Sequence, residues 1–573
     1  IDTPENNFAT LNPLQKGYAS TPLTEGNLKL TGTGSAGSAT YSFKSSSMGM
    51  TFPTYWEVLV NALTATGRNG SGILAEDFDF DGYGGFSTDL TGGQSGKGHG
   101  STDFYNETSD VNDVTAESVG DIAMYAFDPS SGKLWHGVNG TWSNSGNPAS
   151  DSNPTSTVSA SLTWFPSANI QSSSDIVTFN FGQDDTFAGA LSSNGNTGGG
   201  GKFRYTPPAG YNALCSRNLN EPILSANPNR PENANDHFDI VTYTGNDSTN
   251  NIAFNMTPDM VWLAMRGSTG GGYGKTMWDT SRGDDKYLYS SGTNSEATGT
   301  DYLGFQANGF QIGVSWDGIN HSGENYVTWG WKANGGTTTT NDASVTGIGT
   351  IDSVYQANPK AGFSIVTYTG TGTAGTIAHG LGKAPKFITI KNRDDSAGWI
   401  TLAMGRSDVS DPETDYLYFN TSADVDDSDD FNDTAPTDTV FSVKTHNLLN
   451  SSGDDYVAYV WTDVPGFSKF GGYEGIANAN GAYVHLGFRP RLLICKNLDT
   501  AGSWIIFDSK RHPGNIIDIH TMGDTTAGEG TDDNMDFLSN GFKCRRSSTS
   551  FNSGHSFIYL AWAEQPFKYS NAV

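Results

Sequence analysis

Asp77-Phe-Asp-Phe-Asp-Gly82 sets three carboxylates at alternate positions ahead of a glycine. That spacing converges hard oxygen ligands and the glycine permits a sharp turn, so Asp77, Asp79 and Asp81 read as the first half of a calcium loop. Thr88 stands where an EF-hand supplies its bidentate glutamate, and no helical pattern flanks the segment, which excludes an EF-hand. Two readings stay open. One is a calcium loop of another kind, with Ca2+ as the only cofactor expected; the other is a strand with Phe78 and Phe80 inward and the acids in water. The acidic run Asp424-Val-Asp-Asp-Ser-Asp-Asp-Phe-Asn-Asp433 divides the same way, between a solvated loop and a weak cation site.

Other apparent motifs fail on context. Two Gly-x-Gly-x-x-Gly matches, at Gly32, Gly34, Gly37 and at Gly370, Gly372, Gly375, are followed by strand-like Ala39-Thr-Tyr-Ser-Phe and Thr376-Ile-Ala-His. A dinucleotide site needs a helix there. Gly270-Gly-Gly-Tyr-Gly-Lys-Thr276 imitates a phosphate loop, but Thr269 replaces its first glycine. No Gly-x-Ser-x-Gly elbow or His-Glu-x-x-His site is present. His379 and His485 align as histidines bonded to turn carbonyls. With no catalytic constellation singled out, the chain is expected not to be an enzyme.

The elements behind these residues are strands, and they repeat. Tyr326-Val-Thr-Trp-Gly-Trp331, Tyr456-Val-Ala-Tyr-Val-Trp461 and Phe557-Ile-Tyr-Leu-Ala-Trp562 each follow a Ser-Gly step and close a segment of similar length. The segments open on Phe238, Phe363 and Phe470. Each has a buried strand after Pro258, Pro385 or Pro490, then a tryptophan at Trp278, Trp399 or Trp504. Self-similarity at a fixed period sets the architecture: three copies of one β domain, with Trp331, Trp461 and Trp562 buried at one shared position.

Composition agrees. Glycine, at 71 residues, supplies turn chemistry. The balance of 32 basic and 61 acidic residues gives a formal charge of −29, which repels phosphate backbones, so no nucleic-acid partner is expected. No apolar run reaches the ~18 residues of a membrane helix, so no membrane insertion is expected. Cys215, Cys495 and Cys544 cannot build a disulfide framework; Cys495 and Cys544 read as two buried thiols. The opening Ile1-Asp-Thr-Pro carries no signal-peptide pattern.

Gly120-Asp-Ile-Ala-Met-Tyr-Ala-Phe-Asp-Pro-Ser-Ser-Gly-Lys-Leu-Trp-His-Gly-Val-Asn-Gly-Thr-Trp142 writes out a hairpin with its turns, and Thr54-Tyr-Trp-Glu-Val-Leu an earlier strand. Together these phrases resemble the SPRY domain, a β-sandwich recognition module that binds partners through loops at one end. The expected fold is therefore all-β: a SPRY-like β-sandwich over 1–207, a linker over 208–236, repeats at 237–333, 362–464 and 465–573, and a second linker at 334–361. The series, with Pro207-Pro-Ala-Gly-Tyr-Asn-Ala-Leu214, Phe363-Ser-Ile-Val-Thr-Tyr-Thr-Gly370 and Ile377-Ala-His-Gly-Leu-Gly-Lys-Ala-Pro385, is similar to virion proteins of tailed bacteriophages, marine phages especially.

That resemblance implies a structural subunit of a virion appendage, a tail or fibre on the particle exterior, concerned with host-surface recognition and attachment. It also implies a homo-oligomer, most simply a trimer, with other virion proteins and a host-surface glycan or protein as partners. A decoration protein without a receptor, and a secreted glycan-binding adhesin or glycan-active enzyme, are the alternatives. The loops Thr91-Gly-Gly-Gln-Ser-Gly-Lys-Gly-His99 and Ser192-Ser-Asn-Gly-Asn-Thr-Gly-Gly-Gly-Gly201 could present ligand contacts or be plain flexible loops.

Overall fold

The computed structural model describes residues 6–15, 22–33, 42–64, 69–76, 78, 93–106, 109–111, 114–170, 173–222, 224, 232–267, 273–313, 316–531 and 534–569. The chain is all-β with almost wholly antiparallel pairing, and it divides into two compact units, Ile1–Glu221 and Pro222–Val573.

In the first unit a nine-stranded and a six-stranded sheet carry the core. Strand Thr54–Ala62 pairs with Ile122–Asp128, which pairs with Lys133–Val138, which pairs with Thr141–Trp142. The two sequence phrases thus lie on adjacent strands, as the SPRY-like pattern requires. Trp56 stacks on Tyr125 with centroids 5.0 Å apart, and the Tyr125 hydroxyl donates to the Ser71 carbonyl of the other sheet at 2.9 Å. The sheets therefore meet face to face.

In the second unit one strand order occurs three times. The opening strand (Phe238–Thr244, Phe363–Thr369, Ser468–Glu474) pairs with the closing strand (Asn325–Trp331, Asp455–Trp461, Ser556–Pro566). The closing strand pairs in turn with the strand after the proline, and that one with a fourth. Phe238, Phe363 and Ser468 stand opposite Trp331, Trp461 and Trp562. Ser468, not Phe470, is therefore the third opening position, and Tyr243, Tyr368 and Tyr473 become equivalent. Each tyrosine hydroxyl donates to a carbonyl before the closing strand, at Ile319, Leu449 and Phe551.

Register corrects two further alignments. Lys275, not Trp278, takes the place of Trp399 and Trp504. His379 corresponds to Leu486 rather than His485, since their N–H groups donate to the equivalent Thr439 and Asn540 carbonyls. A one-residue slip in a strand turns a side chain to the opposite face. Accordingly His379 is buried with Nε2 3.2 Å from the Thr437 carbonyl, while His485 is half-buried.

The described parts of the segments expected as linkers, 208–236 and 334–361, carry strands. Asn212–Ala213 joins the nine-stranded sheet of the first unit, and Thr339–Asn341 and Ser353–Asn358 extend the sheet of the second repeat. The repeats follow one another along the chain but close a ring in space. Trp331, Trp461 and Trp562, all at most 4% exposed, pack edge to face with centroids 5.4–6.1 Å apart, in one core shared by all three repeats. Aromatic edges meeting aromatic faces are favourable beyond area burial alone.

Three equivalent main-chain bonds mark the junctions: Glu296 N–H to the Arg393 carbonyl, Glu529 to Arg266, and Val425 to Leu498. Between repeats one and two, Arg282 donates to Asp279, Glu296 and Tyr459, and Arg393 grips Glu296 through two bonds of 2.8 and 2.9 Å. Between three and one, Arg511 donates to Asp508 and Glu529, Arg266 donates to Glu529, and Trp329 donates to Asp508. At the junction of two and three the set becomes Ala403, Val425, Leu498 and Leu560, and Arg406 turns to Asp408 and Asp415 of its own repeat.

Candidate ligand groove

The loop Ser192–Gly201, left open between ligand contact and flexible tether, is fastened at several points. Asp185 accepts from the Ser193 hydroxyl at 2.7 Å and from the N–H groups of Asn194 and Gly195. Asn196 donates to the Arg204 carbonyl at 2.9 Å. Thr197–Gly198 and Gly201–Lys202 form a hairpin whose two-residue turn, Gly199-Gly200, has φ of 56° and 81°, where only glycine rests without strain. At Gly201 the chain passes so close to Gly182 that a Cβ would lie 2.7 Å from the Gly182 Cα.

This hairpin borders an open cavity of about 480 Å3. Main chain of Gly182, Gly198, Gly200 and Gly201 contributes to its lining, with Phe8 as the apolar member and Asn6, Thr197 and Lys202 as the polar side chains. Directly after it, the N–H groups of Arg204 and Tyr205 donate to the buried Glu57 carboxylate at 2.8 and 2.7 Å. Burial pushes the Glu57 carboxyl up, against those hydrogen bonds, to about 7. A second cavity, in the other unit, is bordered by Asn235, Arg491, Ser509, Lys510 and Glu564. Arg491 is already bonded there to Asn235 and Asp239, and Glu564 to Arg489.

The most reactive-looking cluster lies in the interior of the first unit. Ser71 Oγ is 3.4 Å from His99 Nε2, and His99 Nδ1 is 3.5 Å from Glu117 Oε2, the order of a hydrolytic triad. Glu117 also meets Lys97 Nζ at 3.4 Å and His136 Nε2 at 2.7 Å. Burial would raise the Glu117 carboxyl, but the bonds and charge of His136 and His99 hold it well below the usual carboxylate range. Every one of these side chains is fully buried, so none of the groups meets solvent. The cluster is a polar brace between the sheets, with Lys97 and Glu117 as its ion pair.

Asp77, Asp79 and Asp81 lie outside the described residues, as do Thr91 and Gly92; the rest of the Thr91–His99 segment is not a loop, since Gln94–Gly98 is a buried strand of the six-stranded sheet, and Phe78 packs with Phe43 and Leu74 outside any strand. Among the described residues no group of acids, histidines or cysteines is arranged to hold a metal ion. The second glycine motif opens onto strand Gly375–Ala378, and strand Thr276–Asp279 follows the phosphate-loop imitation. All three cysteines are buried thiols outside any disulfide. Sequence reasoning passed over Asn6, Glu57 and Lys202. For Lys202 the signal was available: a cation closing a four-glycine run in an acidic chain.

A comparison with curated proteins gives no match. Among solved structures the chain is similar to the SPRY domain of human HERC1, at 14% identity over 30% of this chain and 96% of that one, with a TM-score of 0.22. It is also similar to stonustoxin (16%, covering 30% and 27%, TM-score 0.21) and to the TRIM65 PSpry domain (12%, 30% and 90%, TM-score 0.20). Likeness at this level carries no functional argument. The repeats give a firmer result: residues 233–566, more than half of the chain, match the model of a domain of unknown function, DUF7483, and the chain belongs to that family.

Proposed function

We propose that the chain is a structural, non-enzymatic subunit of a tailed-phage appendage, a tail or fibre component on the virion exterior that takes part in host-surface attachment. The fastened groove beside Gly199-Gly200 carries this reading, because a concave site with few, fixed polar groups is what ligand recognition needs. The likeness of Pro207–Leu214 and of the repeat phrases to marine-phage virion proteins supports the virion setting. Its partners are then other virion proteins, further copies of the chain in a trimer, and a host-surface glycan or protein. The formal charge of −29 argues against nucleic acid.

A purely architectural role is the second reading, favoured by the closed ring of repeats. Locating the chain on imaged virions tests both. Label at a tail or fibre tip supports attachment, label on the capsid shell favours decoration, and absence from the particle overturns both. Light scattering that finds a stable monomer at micromolar concentration would overturn the trimer.

A further inference from the structure

We infer that the groove of the first unit binds an acidic saccharide, a sugar bearing a carboxylate or sulfate group. The inference deepens the attachment reading and rests on it for its biological setting; the binding itself is tested separately.

Two complementary demands meet in the groove. Lys202 is exposed on its lining and has no ion partner among the described residues. Beside it stand the exposed Thr197 and the main chain of the glycine hairpin. The lysine asks for an anion, and the hydroxyl and peptide groups for hydrogen-bonding partners. A bare inorganic anion meets only the first demand and a neutral sugar only the second. A uronate or sulfated sugar carries both kinds of group on one ring, with hydroxyls for Thr197 and the peptide groups and the charged group for Lys202.

Phe8, 7% exposed, supplies the apolar surface against which the C–H face of a sugar can rest. The exposed main chain of the glycine run adds N–H and C=O groups that a side chain would otherwise shield. A volume of about 480 Å3 falls within the roughly 300–1,000 Å3 of small-molecule sites. The hairpin and the bonds to Asp185 and Glu57 hold the main chain of the loop in place before any ligand arrives, which lowers the entropy lost on binding.

Calorimetric titration of the full chain with oligogalacturonate and with a sulfated galactan oligosaccharide tests the site, set against a neutral cello-oligosaccharide, sodium sulfate and adenosine monophosphate. At least one acidic sugar is expected to bind at least tenfold more tightly than these three. Lys202→Gln is expected to weaken it by about tenfold, the scale of one charge-assisted hydrogen bond, with Lys202→Arg restoring most of the loss. An unchanged melting temperature in Lys202→Gln, whose side chain lies at the surface, separates lost binding from lost folding. No binding of either acidic sugar at millimolar concentration overturns the inference. So does equal or tighter binding of the neutral sugar, sulfate or the nucleotide, or an unaltered affinity in Lys202→Gln. Should the sugar bind while the chain is absent from virions, the attachment reading falls and the site stands.

Discussion

Two junctions of the ring hold buried charge and the third holds almost none, although all three join the same strands in the same register. Where Asp279, Arg282, Glu296, Arg393 and Tyr459 meet, every charged head has an opposite charge or a hydroxyl within reach. Asp508, Arg511, Glu529, Arg266 and Trp329 repeat that arrangement. At the remaining junction the inward acid, the bridging glutamate, its arginine and the hydroxyl or indole partner are all replaced, by Ala403, Val425, Leu498 and Leu560. Four members change together and the one charge that stays, Arg406, is taken up by Asp408 and Asp415 of its own repeat, because a charge left without partners in low dielectric is strongly destabilising. The two buried glutamates of the first unit repeat the contrast. Glu117, with cationic and imidazole partners, stays ionised; Glu57, surrounded by neutral donors, is pushed up to about 7.

The largest effect is expected where all three junctions meet. Trp461→Ala should cost roughly 3–5 kcal/mol and lower the melting temperature of the whole second unit, because its ring touches both other axial tryptophans. Hydrogen exchange confined to the second repeat would show instead that the repeats unfold singly. Next, Asp279→Ala alone should destabilise that unit by about 3 kcal/mol by leaving the Arg282 charge short of its partner. Adding Arg282→Leu, Tyr459→Leu, Glu296→Val and Arg393→Leu, which removes every charged member of the set, should recover most of the loss; if denaturant melts show that the five losses simply add, the all-or-none account fails.

Glu57 gives a pH-dependent effect. Its folded value of about 7 lies above the ordinary 4.5, so between those pH values the folded state keeps a proton that the unfolded state has released. Stability of the first unit should therefore fall as pH rises through that window, by roughly 3 kcal/mol at most. Glu57→Gln should flatten the slope between pH 5 and 8, and an unchanged slope would assign it to other groups. The smallest effect belongs to Lys360, paired with Glu232 in water. Lys360→Ala should cost less than about 1 kcal/mol and lose even that in high salt.

Much of this architecture was legible in the sequence. The three closing phrases located Trp331, Trp461 and Trp562, and the turn residues between Ile122 and Trp142 located a hairpin, because strand periodicity and turn chemistry are local. Register was harder. The phenylalanine pattern points to Phe470, two residues past the true opening position at Ser468, and Trp278 masks the equivalence of Lys275. The junction sets were invisible, since Arg282 and Tyr459 lie far apart in sequence and only the ring brings them together. Of the groove, the Ser192–Gly201 loop was noticed, but Asn6 reaches it from the opposite end of the unit.

Closure of the ring also sets how many copies the chain can hold. An open stack of repeats can gain or lose a unit, provided that its ends carry modified capping repeats. Here each repeat covers its neighbour's inward face and is covered in turn, so no copy serves as a cap and none is dispensable. A fourth copy would have to part the three indoles to enter, and a two-copy version would leave an indole facing water. The number three is thus written into the axis, and duplication or deletion of a repeat should be tolerated far less than substitutions within one.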